Sequence, residues 1–189
     1  MATTISINRA PVLTLWAAVV AERLGFDRDA ALTLGRAVAG LNAQSKGRRL
    51  GIFAPAKRGE PAARRKSLKP GEGLVIELMG RAVPAVRTKE GLRAVEKDKP
   101  STPESVARYL EGKFGEHLEA AREAMAALAG SRPPETLAAE AFALYESFRP
   151  TVPAGTRGWG AAGTLDLAAI RALARPGAGA AGARRTRRT

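Results

Sequence analysis

The sequence predicts an all-α protein: a compact bundle of about five or six helices, interrupted by a long basic loop and followed by a disordered basic C-terminal tail. Three observations carry that expectation. Hydrophobic residues make up 45% of 189 and aromatic residues only 5%, so the core must be built mainly from Ala, Leu and Val, which suits closely packed helices better than a β-sandwich. Apolar residues recur at helical spacing in several long segments. The positive charge is gathered into two strings that lack any such period.

Pro11 to Leu24 reads as the first helix, with Pro in its first turn and Val12, Leu13, Leu15, Trp16, Val19, Val20 and Leu24 covering most of its circumference. Such a helix belongs in the middle of the bundle. Gly25 and Phe26 break it, Asp27 is placed to cap the next helix, and Asp29 falls in that helix's first turn, where the macrodipole favours an acid. The second helix is expected to run to about Asn42. Ala31, Leu34, Val38 and Leu41 form its stripe, Ala30 and Ala37 widen it, and Arg28 and Arg36 lie outside it. Residues 1–45 are therefore expected to be an N-terminal helical hairpin. Arg9 ahead of the apolar run Val12 to Ala21 has the outline of a secretory leader, but only one basic residue precedes the run and no Cys follows to suggest an exported disulfide framework. No run of eighteen or more apolar residues occurs, so no membrane span is expected, and a cytoplasmic location is.

Residues 46–73 lose all periodicity and carry Pro55, Pro61, Pro70, Gly59, Gly71 and Gly73, the composition of a flexible linker. The short clip Leu50, Ile52 and Phe53 is placed to tack it to the body. Residues 74–175 are expected to be a C-terminal helical part packing on the hairpin, one domain overall. Within it, Leu74 to Leu78 suits a strand or one helical turn, and residues 80–100 give no clear period. Thr102 and Pro103 open a helix to about Ala129 whose apolar face is Val106, Leu110, Phe114, Leu118, Ala121, Met125 and Leu128, with a bend or split near residue 113 from Gly112 and Gly115. Ser131 and Pro133 open the next, carrying Leu137, Ala141, Leu144, Tyr145 and Phe148 up to Pro150. Thr164 is placed to cap a last short helix with Leu165, Leu167, Ile170 and Leu173, stopped by Pro176 and Gly177. Residues 176–189 are the expected disordered tail.

Charge is the strongest functional signal. The formal net charge is +13. Nine basic residues stand between positions 46 and 69, namely Lys46, Arg48, Arg49, Lys57, Arg58, Arg64, Arg65, Lys66 and Lys69, against the single acid Glu60. The last nineteen residues add six arginines, Arg184, Arg185, Arg187 and Arg188 among them, and no acid. A neutral body bearing two cationic strings is the pattern of arms that bind a polyanion by neutralising phosphates. Arg157 and Trp159 add a cation beside a stacking surface. These fifteen residues are the candidate nucleic-acid contacts.

Three motifs compete with that reading. Val20-Ala21-Glu22-Arg23-Leu24-Gly25-Phe26-Asp27 resembles the first half of a helix-turn-helix, in which a small residue packs inside the corner and Gly permits the turn. The resemblance implies a base-reading second helix using Arg28, Thr33 and Arg36, yet Asp27 and Asp29 stand where phosphates would come, which favours a plain core hairpin. Gly158-Trp159-Gly160-Ala161-Ala162-Gly163 fits GxGxxG ahead of a capped helix, but no buried strand precedes it, so a Gly-rich turn docking Trp159 is the simpler account. His117 is the sole imidazole and reads as a boundary residue of the apolar stripe, with Glu116, Glu119 and Glu123 on the opposite, polar face.

With no Cys and one His, thiolate and multi-His metal sites are excluded, and no nucleophile, acid and base assemble from the sequence. The expected function is thus non-enzymatic binding of DNA or RNA with weak sequence preference, without cofactor or metal. The alternative is a helical protein-interaction or structural module whose basic segments serve solubility.

Overall fold

The computed structural model describes residues 3–49, 73–156 and 161–176 and, of 46–49, the backbone. The expectation of an all-α fold is overturned: the chain is mixed α/β, with six α-helices, a 3-10 turn and six strands in two sheets among the described residues. The part expected to be helical from residue 74 opens instead with most of a sheet.

Helix α1 (Arg9–Arg23) is the centre of the molecule. Every residue from Pro11 to Ala21 is buried, as an apolar circumference requires, because a helix that is hydrophobic all round must be covered all round. Trp16 is fully buried, meets the edge of Phe148 at 5.3 Å between ring centroids, and donates its indole N–H to the Ala141 carbonyl at 2.8 Å. A buried indole is stable only with such an acceptor.

Gly25 takes a positive φ of 108° and turns the chain into α2 (Arg28–Arg49), whose first turn is capped by Asp27 Oδ1 accepting from the Ala30 N–H at 2.9 Å. The expected hairpin is present, but α2 runs seven residues beyond Asn42, so the backbone that carries Lys46, Arg48 and Arg49 is helical. It is also not one-sided. Ala30 through Gly35 and Ala37 through Ala39 are all buried, because α2 lies between α1 on one side and a sheet on the other.

That sheet is an antiparallel meander of β2 (Gly73–Leu78), β3 (Arg81–Thr88), β4 (Gly91–Glu96) and the two-residue β5 (Lys99–Pro100). Its strands alternate: Val83 and Ala85 are buried while Ala82 and Pro84 are exposed, and Leu74, Ile76 and Leu78 face the same way on β2. Pro84 has no N–H, and the β3–β4 ladder ends at its neighbour Ala85. β4 then pairs with β5. The turns explain why the region gave no sequence signal. Two of its two-residue loops place non-glycine residues in the left-handed region, Met79 at φ 52° beside Gly80, and Lys97 and Asp98 at 49° and 64°. Such loops usually announce themselves through Asn-Gly or Asp-Gly.

Helix α3 (Pro103–Phe114) packs on both α1 and α2, α4 (Leu118–Gly130) and α5 (Pro134–Phe148) pack on α1, and α6 (Leu167–Leu173) packs on α4. The long helix expected from Thr102 is split by a 3-10 turn at Gly115–His117, where Gly115 has φ 55°. Its predicted stripe is otherwise buried from Val106 to Leu128, with Leu118 partly so. The first strand, β1 (Thr4–Ile7), pairs antiparallel with β6 (Gly163–Asp166), and Thr151 bridges to Thr164 on the other side of β6. Neither strand was expected, since each is only four residues long. The expected tail and most of the expected basic loop lie outside the described residues.

Candidate nucleic-acid interface

The fifteen expected contact residues divide simply. Lys46, Arg48 and Arg49 are on the last described turn of α2. Lys57, Arg58, Arg64, Arg65, Lys66, Lys69, Arg157, Trp159, Arg184, Arg185, Arg187 and Arg188 lie outside the described residues. The structure therefore brings three of them together, by sequence on one helix end, and is silent on the rest.

What positions that helix end is visible. Asn42, the last buried residue of α2 with a described side chain, accepts from Arg81 Nη2 of β3 at 3.3 Å through its Oδ1. Gln44 and Ser45 are already exposed. So α2 emerges from the body after Asn42, and Arg81, which sequence reasoning passed over, is the cation at its root. Beside Arg81 a cleft of about 370 Å³ is lined by Met79, Gly80, Arg81, Ala138, Ala139 and Phe142. It offers one guanidinium and otherwise apolar or backbone surface, so it contains no acid, base or nucleophile.

The described side chains carry 17 basic and 16 acidic groups and so are close to neutral, while the chain as a whole is +13. Even this small balance is uneven. Residues 103–148 hold eight Glu against four Lys and Arg, whereas the sheet region 73–100 holds six Lys and Arg against four acids. Arg87, Lys89, Lys97 and Lys99 are exposed there. The acidic excess is on α3, α4 and α5, whereas on the sheet those four exposed cations stand among four exposed acids, Glu77, Glu90, Glu96 and Asp98.

The helix-turn-helix resemblance does not survive the packing. Thr33 is fully buried and its hydroxyl accepts from the Ala94 N–H at 3.0 Å, while Arg36 lies over the Tyr109 ring at 4.3 Å. A helix enclosed by α1, α3 and the sheet cannot enter a groove of DNA. The phosphate reading of the GxGxxG loop also fails where it can be seen. Thr164 is in β6, and the N-cap of α6 is Asp166, whose Oδ1 accepts from Ala168 N–H at 2.8 Å and Ala169 N–H at 3.3 Å. A carboxylate already occupies the place a phosphate would take. Gly163 has its own reason: a Cβ there would stand 2.8 Å from Pro150 Cβ and 2.9 Å from Thr151 O.

His117 is 39% exposed on the 3-10 turn, with Nε2 3.7 Å from Glu116 Oε1. Glu116 therefore lies beside it and not on an opposite face, but both are at the surface. Among the described residues no three of His, Cys, Asp and Glu gather as metal ligands, and no helix is long and apolar enough to cross a membrane. No family model, no curated protein and no solved structure matches this chain.

Proposed function

We propose that the protein binds nucleic acid, DNA or RNA, without catalysing a reaction and with weak sequence preference. The observation that supports this most is the separation of charge. A nearly neutral body accounts for 17 of the 31 basic residues, and the other 14 are accompanied by only two acids, Glu60 and Glu72. Lysines and arginines that meet phosphates release the counterions condensed on the nucleic acid, and that release drives sequence-independent binding. Lys46, Arg48 and Arg49 on α2 give this charge a helical root, and Arg81 extends it onto the sheet. A cytoplasmic setting, where nucleic acid is met, goes with the reading.

Titration of a labelled duplex and a labelled single strand at two ionic strengths tests it. Affinity should fall steeply with salt, and changing Arg64, Arg65 and Lys66 together to Ala should reduce the slope by up to about three. Binding that is absent at low salt, or indifferent to salt, would overturn the proposal. The competing reading, a protein-interaction module, is favoured by one observation, the outer edge of β2, which no strand among the described residues covers.

A further inference from the structure

In the β2–β3 hairpin the two-residue loop Met79–Gly80 makes Leu78 and Arg81 a hydrogen-bonded pair, and by alternation Ile76–Val83 and Leu74–Ala85 are paired the same way. The N–H and C=O groups of Gly73, Val75 and Glu77 therefore point away from β3. No described strand stands on that side. The opposite margin of the sheet is protected: Thr33 takes the free Ala94 N–H, and the Ala94 carbonyl accepts from Ser101 N–H at 2.8 Å. Of the usual devices that blunt an edge, β2 has a single charge, Glu77. It contains no Pro, no Lys and no bulge, and its Val75 is 60% exposed, the large hydrophobic residue most open to solvent among those described.

We infer that the edge of β2 pairs antiparallel with β2 of a second copy of this chain, about a twofold axis through Val75. The sequence Gly73-Leu-Val-Ile-Glu-Leu78 is self-complementary in this register. Val75 meets Val75, each Gly73 meets Glu77, and all three residues whose backbone groups point away from β3 find partners. On the other face Leu74 meets Ile76, both only partly buried in one copy. The two Glu77 carboxylates are held about 14 Å apart by the strand rise and spacing, too far to repel strongly in salt. Centring the pair on Ile76 instead would use only Val75 and Glu77 and bring the carboxylates to about 8 Å. The contact is isologous and closes on itself, joining two four-stranded sheets into one. It also places the two Gly73 residues, where each chain enters β2 from its basic run, about 14 Å apart across the axis. The inference stands independently of nucleic-acid binding.

Sedimentation of the full chain over a range of concentration should show a monomer–dimer equilibrium. V75P removes only an outward N–H, so it should weaken the dimer at least about tenfold while circular dichroism stays unchanged. V75K should do the same by charge, and it keeps the test valid if the proline variant fails to fold. Because the chain has no Cys, V75C supplies one thiol per copy. Its Cα atoms would lie about 5.5 Å apart in the dimer, within disulfide reach, so oxidation should crosslink it, whereas E77C should not crosslink. A monomer at every concentration overturns the inference. So does a dimer indifferent to both Val75 variants, or one that E77C crosslinks and V75C does not.

Discussion

Toward α1, helix α2 presents Gly35, where a Cβ would stand 2.5 Å from Thr14 O and 2.8 Å from Ala18 N; toward the sheet it presents Thr33, whose hydroxyl reaches across to a strand backbone. The first contact is backbone against backbone with no room for a side chain between. The second is sewn by single polar side chains. Besides Thr33, Asp29 lies 3.8 Å from Arg93, which is only 6% exposed and also donates to the Leu92 carbonyl at 2.8 Å, and Asn42 holds Arg81. Close packing ties α1 and α2 together through shape, so any added volume is felt. The sheet is tied through satisfied donors and acceptors, so a lost partner is felt more than a lost methyl.

Gly35→Ala should be the most damaging single change to this arrangement, costing more than about 3 kcal/mol, because the clash is with backbone that cannot swing aside. Urea unfolding measures it. A loss below about 1 kcal/mol would mean that the two helices are not in the contact described.

On the side of α1 away from α2, Tyr145 donates its hydroxyl to the Arg9 carbonyl at 3.4 Å, and burial pushes its pKa up to about 12, with Arg9 and Arg149 pulling the other way. A phenol raised above its ordinary value in the folded protein contributes stability below pH 10 that is lost as pH rises through 12. Stability should therefore fall by up to about 2 to 3 kcal/mol over that window, and Tyr145→Phe should flatten the fall. Equal alkaline slopes for the two proteins would assign the loss to other groups.

Thr33→Val keeps the shape at the sheet contact and removes the acceptor for Ala94 N–H, so it should cost about 1 to 2 kcal/mol, with Thr33→Ser largely restoring stability. If valine is neutral, shape and not hydrogen bonding holds the sheet. Arg36→Ala should have the smallest effect, about 0.5 to 1 kcal/mol from the lost stacking on Tyr109. A greater loss would give Arg36 a structural part that this contact does not supply.

The contrast also explains what could be read from the residues alone. The α1–α2 hairpin and the stripes of α3, α4 and α5 were legible because periodic Ala, Leu and Val report burial locally. The sheet was not, because its holding contacts join residues far apart in sequence: Thr33 and Ala94 are 61 positions apart and Asn42 and Arg81 are 39. Its strands also use Pro84, Ala82 and Ala85 where Val and Ile would have signalled a sheet. Of the candidate interface, the gathering of charge was plain in the sequence, and the helical root at Lys46 to Arg49 was missed because Gly47 and the polar run from Gln44 hide the end of α2.

The pairing of β1 with β6 has a consequence for the order in which the chain is made. Ile5 and Ile7 leave the ribosome ahead of their strand partners, Leu165 and Gly163, which follow more than 150 residues later. At synthesis rates of about 5 to 20 residues per second, that strand waits roughly 8 to 30 seconds for its neighbour. Closing so long a loop is entropically costly as well as late. The helical pair, whose contacts are local, can form long before, so the pairing of β1 with β6 closes as a clasp over a core already begun.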